Sequence, residues 1–368
     1  MDGQTVETRS VLVMNWRDLG NPAAGGAEVY THEVLKRIAA RGHEVTLLTS
    51  GFRGGRHEEV LDGVRILRVG DRFSVYRRAR RVYRDRFKAR VGVVVDEINT
   101  RPFHTPRFVD DGASLFALIF QLAREFWFYE TPFPVSVIGR YFLEERWLRA
   151  YREVPTFTIS PSSRQDLIAL GFRDVIVVPP GLSRIPLPAV PEKEERPTLA
   201  FVGRLKRAKL PDHALRAFAR VRAQIPESRL WIVGDGYMRP KLEREAPEGV
   251  TFLGRTSEGK KFEVLRRAHL LLFPAVREGW GLTVLEANSQ GTPAVGYDVP
   301  GLRDSIRARE TGELVPAGNP EVLGDMAASL LVDVTARERM ARNALAWASK
   351  FSWDRTAESF LRRIAGKV

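Results

Sequence analysis

The chain has no cysteine. Disulfides, thiolate nucleophiles and cysteine-held metals are therefore excluded, and a reducing compartment is expected. No run of about 18 apolar residues occurs, so no membrane-spanning helix is expected. The opening "MDGQTVETRS" lacks the apolar core of a secretory signal. Lysine is scarce, ten of the 58 basic residues. Short repeats and low-complexity tracts are missing as well. These absences point to a cytoplasmic protein.

What is present bounds the rest. The 368 residues are too many for one ordinary core, so two domains are expected. Hydrophobic content of 44% with 28% charged residues fits a globular chain. The formal charge of +13 favours anionic partners such as nucleotides, phosphates or acidic lipid.

"VLVMNW" (11–16) reads as a strand, "RDLGNPAAGGAE" as a turn-rich loop, and residues 27–41 as a helix with Val34, Leu35 and Ile38 on one face. "EVTLLTS" (44–50) is the next strand. That order is a βαβ unit and predicts a parallel sheet. Further strands are expected at 92–98, 114–122, 155–161 and 175–181. Residues 183–197, "SRIPLPAVPEKEERP", read as a linker because prolines and charges crowd together. The alternation then restarts at "TLAFVG" (198–203). The expected fold is α/β: two doubly wound Rossmann-like domains facing each other across an inter-domain cleft. The first covers 1–182 and the second 198–350. The C-terminal helix, 351–368, crosses back to the first.

In open parallel sheets, ligands sit beyond the carboxyl ends of the strands, and the chemistry-bearing residues cluster there. Gly25 and Gly26 lie between the first strand and helix; they serve either an anion at the helix N-terminus or an ordinary turn. After "TLAFV" come Gly203, Arg204 and Lys209, two cations spaced to converge on one diphosphate or simply solvated. "VGDG" (233–236) places Gly234 and Gly236 where a ligand or a neighbour needs room, but it lacks the third glycine of a dinucleotide fingerprint. "REGWGLTVLEANSQG" follows a buried strand. Its Glu278 precedes a helix and Glu286 lies about two turns along it. The amides of Gly281 and Leu282 open that helix. The plainer alternative is a helix N-terminal charge and a surface residue.

"GGAE", the Arg204-to-Lys209 pair and the Glu278-to-Glu286 pair stand in this order at strand ends, followed by a terminal "FSWD" helix. In this the chain resembles glycosyltransferase family four, the retaining enzymes of the GT-B fold, over nearly its whole length. The resemblance implies that Arg204 and Lys209 hold the donor diphosphate, that Glu278 meets the donor sugar and that Glu286 meets the ribose. It further implies that Gly279, Trp280, Gly281, Leu282, Gly203 and Gly234 line the donor site, with Gly25 and Gly26 approaching the phosphates from the first domain. Trp280 stands where relatives more often carry phenylalanine. Many relatives carry a histidine after the fourth strand of the first domain; here that place falls to Phe120, followed by Gln121. His104, in "TRPFHTPRF", is a candidate substitute for it, or a polar surface residue.

No Asp-x-Asp pair occurs, so a metal-clamped diphosphate is not expected, and no cofactor is implied beyond the donor itself. The donor is expected to be a UDP- or GDP-linked sugar. The acceptor stays open between a lipid-linked or cell-envelope glycan and a small molecule. The basic, aromatic-interleaved stretch 72–90 is either an anionic-membrane contact on the inner face or a solvated helix. The aromatic run 124–134 reads as core packing or an acceptor pocket. Two rivals are weighed: a GT-B enzyme without transfer, such as an epimerase, and a nucleic-acid binder. The paired carboxylates argue against nucleic acid.

Overall fold

The computed structural model describes residues 10–366, which form two compact units. The first contains the chain up to Arg124, Val137–Gly181 and the segment from Trp353; the second contains Glu125–Ser136 and Leu182–Ser352.

The first unit is built on an eight-stranded sheet: β1 (Ser10–Met14), β2 (Glu44–Thr49), β3 (Glu58–Leu61), β4 (Val64–Arg68), β5 (Val93–Glu97), β6 (Ser114–Leu118), β7 (Thr156–Thr158) and β8 (Val175–Val177). Their order is β3-β4-β2-β1-β5-β6-β7-β8. Every pairing is parallel except β3 with β4. The inner strands are Val- and Leu-rich and buried on both faces, as a helix-covered parallel sheet requires. Helix Gly26–Ala39 covers one side, with Val34, Leu35 and Ile38 buried. Helix Trp353–Ile364 packs beside it: Trp353 meets Tyr30 edge-on at 5.6 Å, and Thr356 donates to the Pro179 carbonyl at 2.8 Å.

The second unit carries β9 (Thr198–Val202), β10 (Arg229–Val233), β11 (Val250–Gly254), β12 (Leu270–Phe273), β13 (Ala294–Tyr297) and β14 (Gly312–Val315). Its order, β11-β10-β9-β12-β13-β14, is all parallel and reverses direction between β9 and β12. Both units thus have the Rossmann-like layout, with a switch point beside the first strand of each. The linker lacks regular structure but is fastened down: Lys193 Nζ donates to Thr292 Oγ1 at 2.8 Å and to the Arg266 carbonyl at 2.9 Å.

Two features depart from the sequence reading. The hairpin β3–β4 was not expected. Asp62 and Gly63 turn it with φ of 51° and 80°, the conformation an Asp-Gly turn favours. Residues 125–136 belong to the second unit, not the first. Their acidic side chains bind that unit's loops: Glu130 accepts from the Ala208 amide at 3.0 Å and Glu125 from Arg277 Nε at 2.9 Å.

Candidate active site

In the second unit, β9 and β12 are neighbours at the switch point. The loop after β9 carries Arg204 and Lys209; the loop after β12 carries Glu278. The fold brings Lys209 and Glu278 into an ion pair, their side chains only 18% and 11% exposed. Phe273, at the end of β12, places its ring 5.7 Å from Lys209 Nζ. A charge pair so shielded is held by its surroundings, because neither partner can lose the other without leaving a buried charge. Arg204 is exposed and has no ion pair among the described residues. The site therefore offers a carboxylate that can accept hydroxyl hydrogen bonds, a shielded ammonium and an open guanidinium on adjacent strand ends.

Close backbone contacts set the Glu278 loop. The Glu278 amide donates to the Pro300 carbonyl at 3.0 Å. Gly301 has φ +82°, and a Cβ there would lie 2.1 Å from the Glu278 carbonyl oxygen. Gly281, at φ +91°, starts helix Leu282–Asn288, whose first amides have no intrahelical acceptor. Trp280 does not face outward: it is buried, with its ring edge-on to Phe351 at 5.3 Å. Gly279 and Gly281 flank it as turn residues. Gly234 and Gly236 each accommodate a close backbone neighbour. A Cβ on Gly234 would sit 1.9 Å from the Gly203 carbonyl oxygen, and one on Gly236 2.3 Å from that of Leu205. They let the loops after β9 and β10 lie against each other.

Glu286 does not join this pair. Lys261 Nζ holds it at 2.7 Å and also reaches Glu258 at 3.0 Å. Burial raises the Glu286 carboxyl above its usual range, with Lys261 opposing that shift. Burial works against the Lys261 charge, yet the Glu286 and Glu258 carboxylates leave its pKa raised.

Sequence reasoning missed the short helix Phe126–Glu130. Glu130 binds the amide immediately before Lys209, and Glu125 binds the side chain immediately before Glu278. Lys206 lies 3.9 Å from Glu130 and 5.4 Å from the Phe126 ring. Burial, aided by the Arg204 charge, lowers Lys206 to about 8. Acidic residues bracketing an aromatic run were the available signal.

In the first unit, the corresponding switch point lies between β1 and β5. Asn15 Nδ2 donates to Glu97 Oε1 at 2.6 Å, Thr31 Oγ1 to Glu97 Oε2 at 2.7 Å, and Asn99 Nδ2 to Asn15 Oδ1 at 2.9 Å. Burial pushes the Glu97 carboxyl well up. Gly25 donates its amide to Glu28 Oε2 at 2.6 Å, and Arg17 holds the same carboxylate at 2.9 Å. The Gly25 amide is thus engaged within the protein, while Gly26 begins the helix. His104 is held in the left-handed region, φ 60°. Its neighbours Phe103 and Thr105 both donate backbone amides to buried Asp96, at 3.2 and 3.3 Å. Such a conformation off glycine persists only where the surroundings enforce it. Nδ1 of His104 and Oε1 of Gln121 are both buried without a hydrogen-bond partner among the described residues. These residues leave the adjacent strands β5 and β6. Phe120 packs edge-on against Tyr30 at 5.2 Å and offers no polar group.

The stretch 72–90 forms helical turns that bury Val75, Ala79, Tyr83 and Phe87. Its arginines face outward, while most of its aromatics belong to the core.

The model for "Glycosyltransferase Family 4" matches residues 24–184 and that for "Glycosyl transferases group 1" matches residues 187–347. A D-inositol 3-phosphate glycosyltransferase of Nocardia farcinica is 35% identical over 45% of this chain and 39% of its own length. The chain thus spans less than half of that relative. WaaG, a glycosyltransferase involved in lipopolysaccharide biosynthesis, superposes with TM-score 0.76 at 19% identity, over 97% of this chain and 100% of its own. Anabaena HepE in complex with UDP-glucose gives TM-score 0.70 at 15% identity, over 97% and 100% of the two chains. The two family models meet within the linker region and together span most of the chain, and the chain belongs to glycosyltransferase family four, with the GT-B fold.

Proposed function

We propose that the protein is a retaining glycosyltransferase that moves a hexosyl unit from a UDP- or GDP-linked sugar to an acceptor hydroxyl without a metal ion. The observation that carries this reading is the shielded Lys209–Glu278 pair at the switch point of the second sheet, with Arg204 open beside it. A diphosphate sugar presents the matching chemistry: two anionic phosphates for the cations and sugar hydroxyls for the carboxylate. HepE binds UDP-glucose on the same fold, and the relative from Nocardia is named for transfer to an inositol phosphate.

In this reading the acceptor hydroxyl oxygen attacks the anomeric carbon on the face from which the diphosphate departs. The carbon–oxygen bond to phosphate breaks, its electron pair goes to the diphosphate, and a phosphate oxygen takes the hydroxyl proton. Arg204, Lys209 and the opening amides of helix Leu282–Asn288 stabilise the charge that builds on the leaving group. Glu286, held by Lys261, receives the ribose. His104 and Gln121 contribute polar groups on the acceptor side.

Calorimetry against UDP, GDP and their glucose, galactose and mannose conjugates tests the donor assignment. One diphosphate family is expected to bind with affinity unchanged by a chelator. NMR of the product is expected to show the donor's anomeric configuration. Absence of binding to every nucleotide sugar would remove the reading.

A further inference from the structure

Residues 137–149 of the first unit turn a helical segment the wrong way round for a soluble protein. The positions facing inward are Gly139, Glu144 and Leu148; those facing outward begin with Ile138, Tyr141 and Phe142. These three are 44%, 60% and 65% exposed. The inward Glu144 is spent locally, accepting from the amides of Ala123 and Arg124. In a helix that merely covers a core, the aromatic residues would be buried and the glutamate solvated. Immediately upstream in the chain, Phe133 is also 81% exposed.

Charge surrounds this apolar stripe. Arg140 lies 5.1 Å from the Tyr141 ring. Arg146 and Arg149 continue the outward face and carry no ion pair among the described residues, whereas the acidic Glu145 is neutralised by Arg152 at 3.3 Å. The exposed composition is therefore apolar plus cationic, which is what an interfacial helix presents to acidic headgroups. A second copy of the chain fits poorly. A two-fold contact through this stripe would bring Arg146 and Arg149 close to their own counterparts, on a chain already at +13.

We propose that residues 137–149 dock the protein onto an anionic lipid bilayer, with Ile138, Tyr141 and Phe142 entering the headgroup–acyl boundary and Arg140, Arg146 and Arg149 meeting lipid phosphates. No helix among the described residues is long and apolar enough to cross a membrane, so the association is peripheral. The basic stretch 72–90 offers positive charge, but its apolar residues are mostly in the core. The inference is independent of the donor assignment.

Sedimentation of the full chain with vesicles of phosphatidylcholine alone, and of phosphatidylcholine mixed equally with phosphatidylglycerol, tests it. Binding is expected to the mixed vesicles only, and to weaken with salt. The double variant Tyr141→Ser/Phe142→Ser is expected to bind about tenfold or more weakly, with melting temperature and nucleotide affinity unchanged because both side chains are exposed. Phe73→Ser, on the basic stretch, is expected to bind as wild type does. Three results would overturn the proposal: no binding of wild type to the anionic vesicles, wild-type binding by the double variant, or a wild-type dimer in light scattering that the double variant abolishes.

Discussion

Glu130 accepts a hydrogen bond from the backbone amide of Ala208 at 3.0 Å, and Ala208 directly precedes Lys209. The same short helix begins beside Glu125, which accepts from Arg277 directly before Glu278. One helix therefore braces both sides of the Lys209–Glu278 pair through the residues next to them. A bond between an ionised group and a partly shielded partner contributes about 1.5–3 kcal/mol. The Glu130 carboxylate is 24% exposed and that of Glu125 48%, so solvent weakens the second more. Glu130→Ala is expected to lower kcat about tenfold and Glu125→Ala by less. Both should shift the melting temperature by only a few degrees. Steady-state kinetics beside a thermal melt would check this; a loss of stability with unchanged kcat would make the helix purely structural.

Lys209 and Glu278 shield each other, so removing one leaves the other buried. Lys209→Met is expected to destabilise the fold by ~3 kcal/mol or more and to reduce kcat by about a hundredfold or more. Lys209→Met/Glu278→Gln removes both charges and is expected to recover much of that stability and none of the turnover. Urea melts and initial rates on the three proteins separate the two effects. Recovery of turnover in the double variant would deny the pair a chemical role.

Much of this architecture was legible in the sequence, and the losses have local causes. The inner strands announced themselves as apolar runs between turns. The hairpin β3–β4 did not, because "EEVL" is an exposed edge with charged residues, and only Asp62-Gly63 marked it. Lys209 and Glu278 were each singled out because each follows a buried strand, but the sequence reading set Lys209 with Arg204 and Glu278 with Glu286; their ion pair appears only once the fold makes β9 and β12 neighbours. The partner of Glu286 was not legible, since Lys261 lies on another helix and looks like any amphipathic surface lysine. Trp280, which only the family resemblance set at the donor site, is buried with its ring edge-on to Phe351, a partner far along the chain that its local sequence does not reveal. The bracing helix was hidden for the same reason. Glu125 and Glu130 look like solvated charges until the fold places Arg277 and Ala208 opposite them.

Lys206 supplies a pH dependence. Burial lowers its pKa from 10.5 to about 8, so it is charged below pH 8 and neutral above. Attraction for a diphosphate is present at lower pH and lost as pH rises through that value. UDP affinity is expected to weaken by roughly tenfold between pH 7 and 9, the ~1.4 kcal/mol of one partly screened cation, and Lys206→Gln should flatten the profile. For the fold the sign is reversed. Between 8 and 10.5 the unfolded chain holds the proton more tightly, so this group's contribution to stability rises with pH there. Calorimetry across pH reads the first effect and thermal melts the second.

Lys261 keeps Glu286 usable as a carboxylate against burial. In Lys261→Met the carboxyl loses its main opposing charge and is pushed further up. A carboxyl raised in the fold holds its proton more tightly there than in the unfolded chain, so its contribution is present at low pH and lost as pH rises. The variant is expected to melt lower relative to wild type at pH 8 than at pH 5, and to raise the donor KM about tenfold with kcat less affected. Equal destabilisation at both pH values would show that packing, not charge, is what Lys261 supplies.

Gly301 tests whether the Glu278 loop must sit where it does. Its φ of +82° disfavours any side chain, and the added Cβ would lie 2.1 Å from the Glu278 carbonyl oxygen. The obstacle is backbone on both sides, so no rotamer change relieves it; the loop after β12 or the turn before helix Leu302–Ser305 must move. Strain of this kind costs ~1–3 kcal/mol for the conformation alone, and displacement of the loop by even an ångström can cost about a hundredfold in rate. Gly301→Ala is therefore expected to reduce turnover more than its thermal shift suggests. Gly318→Ala is the control, because Gly318 shares a positive φ of +81° but meets nothing within 4 Å. It should lose stability through its conformation and keep its activity. If both variants lose activity in proportion to stability, the carbonyl of Glu278 is not what Gly301 protects.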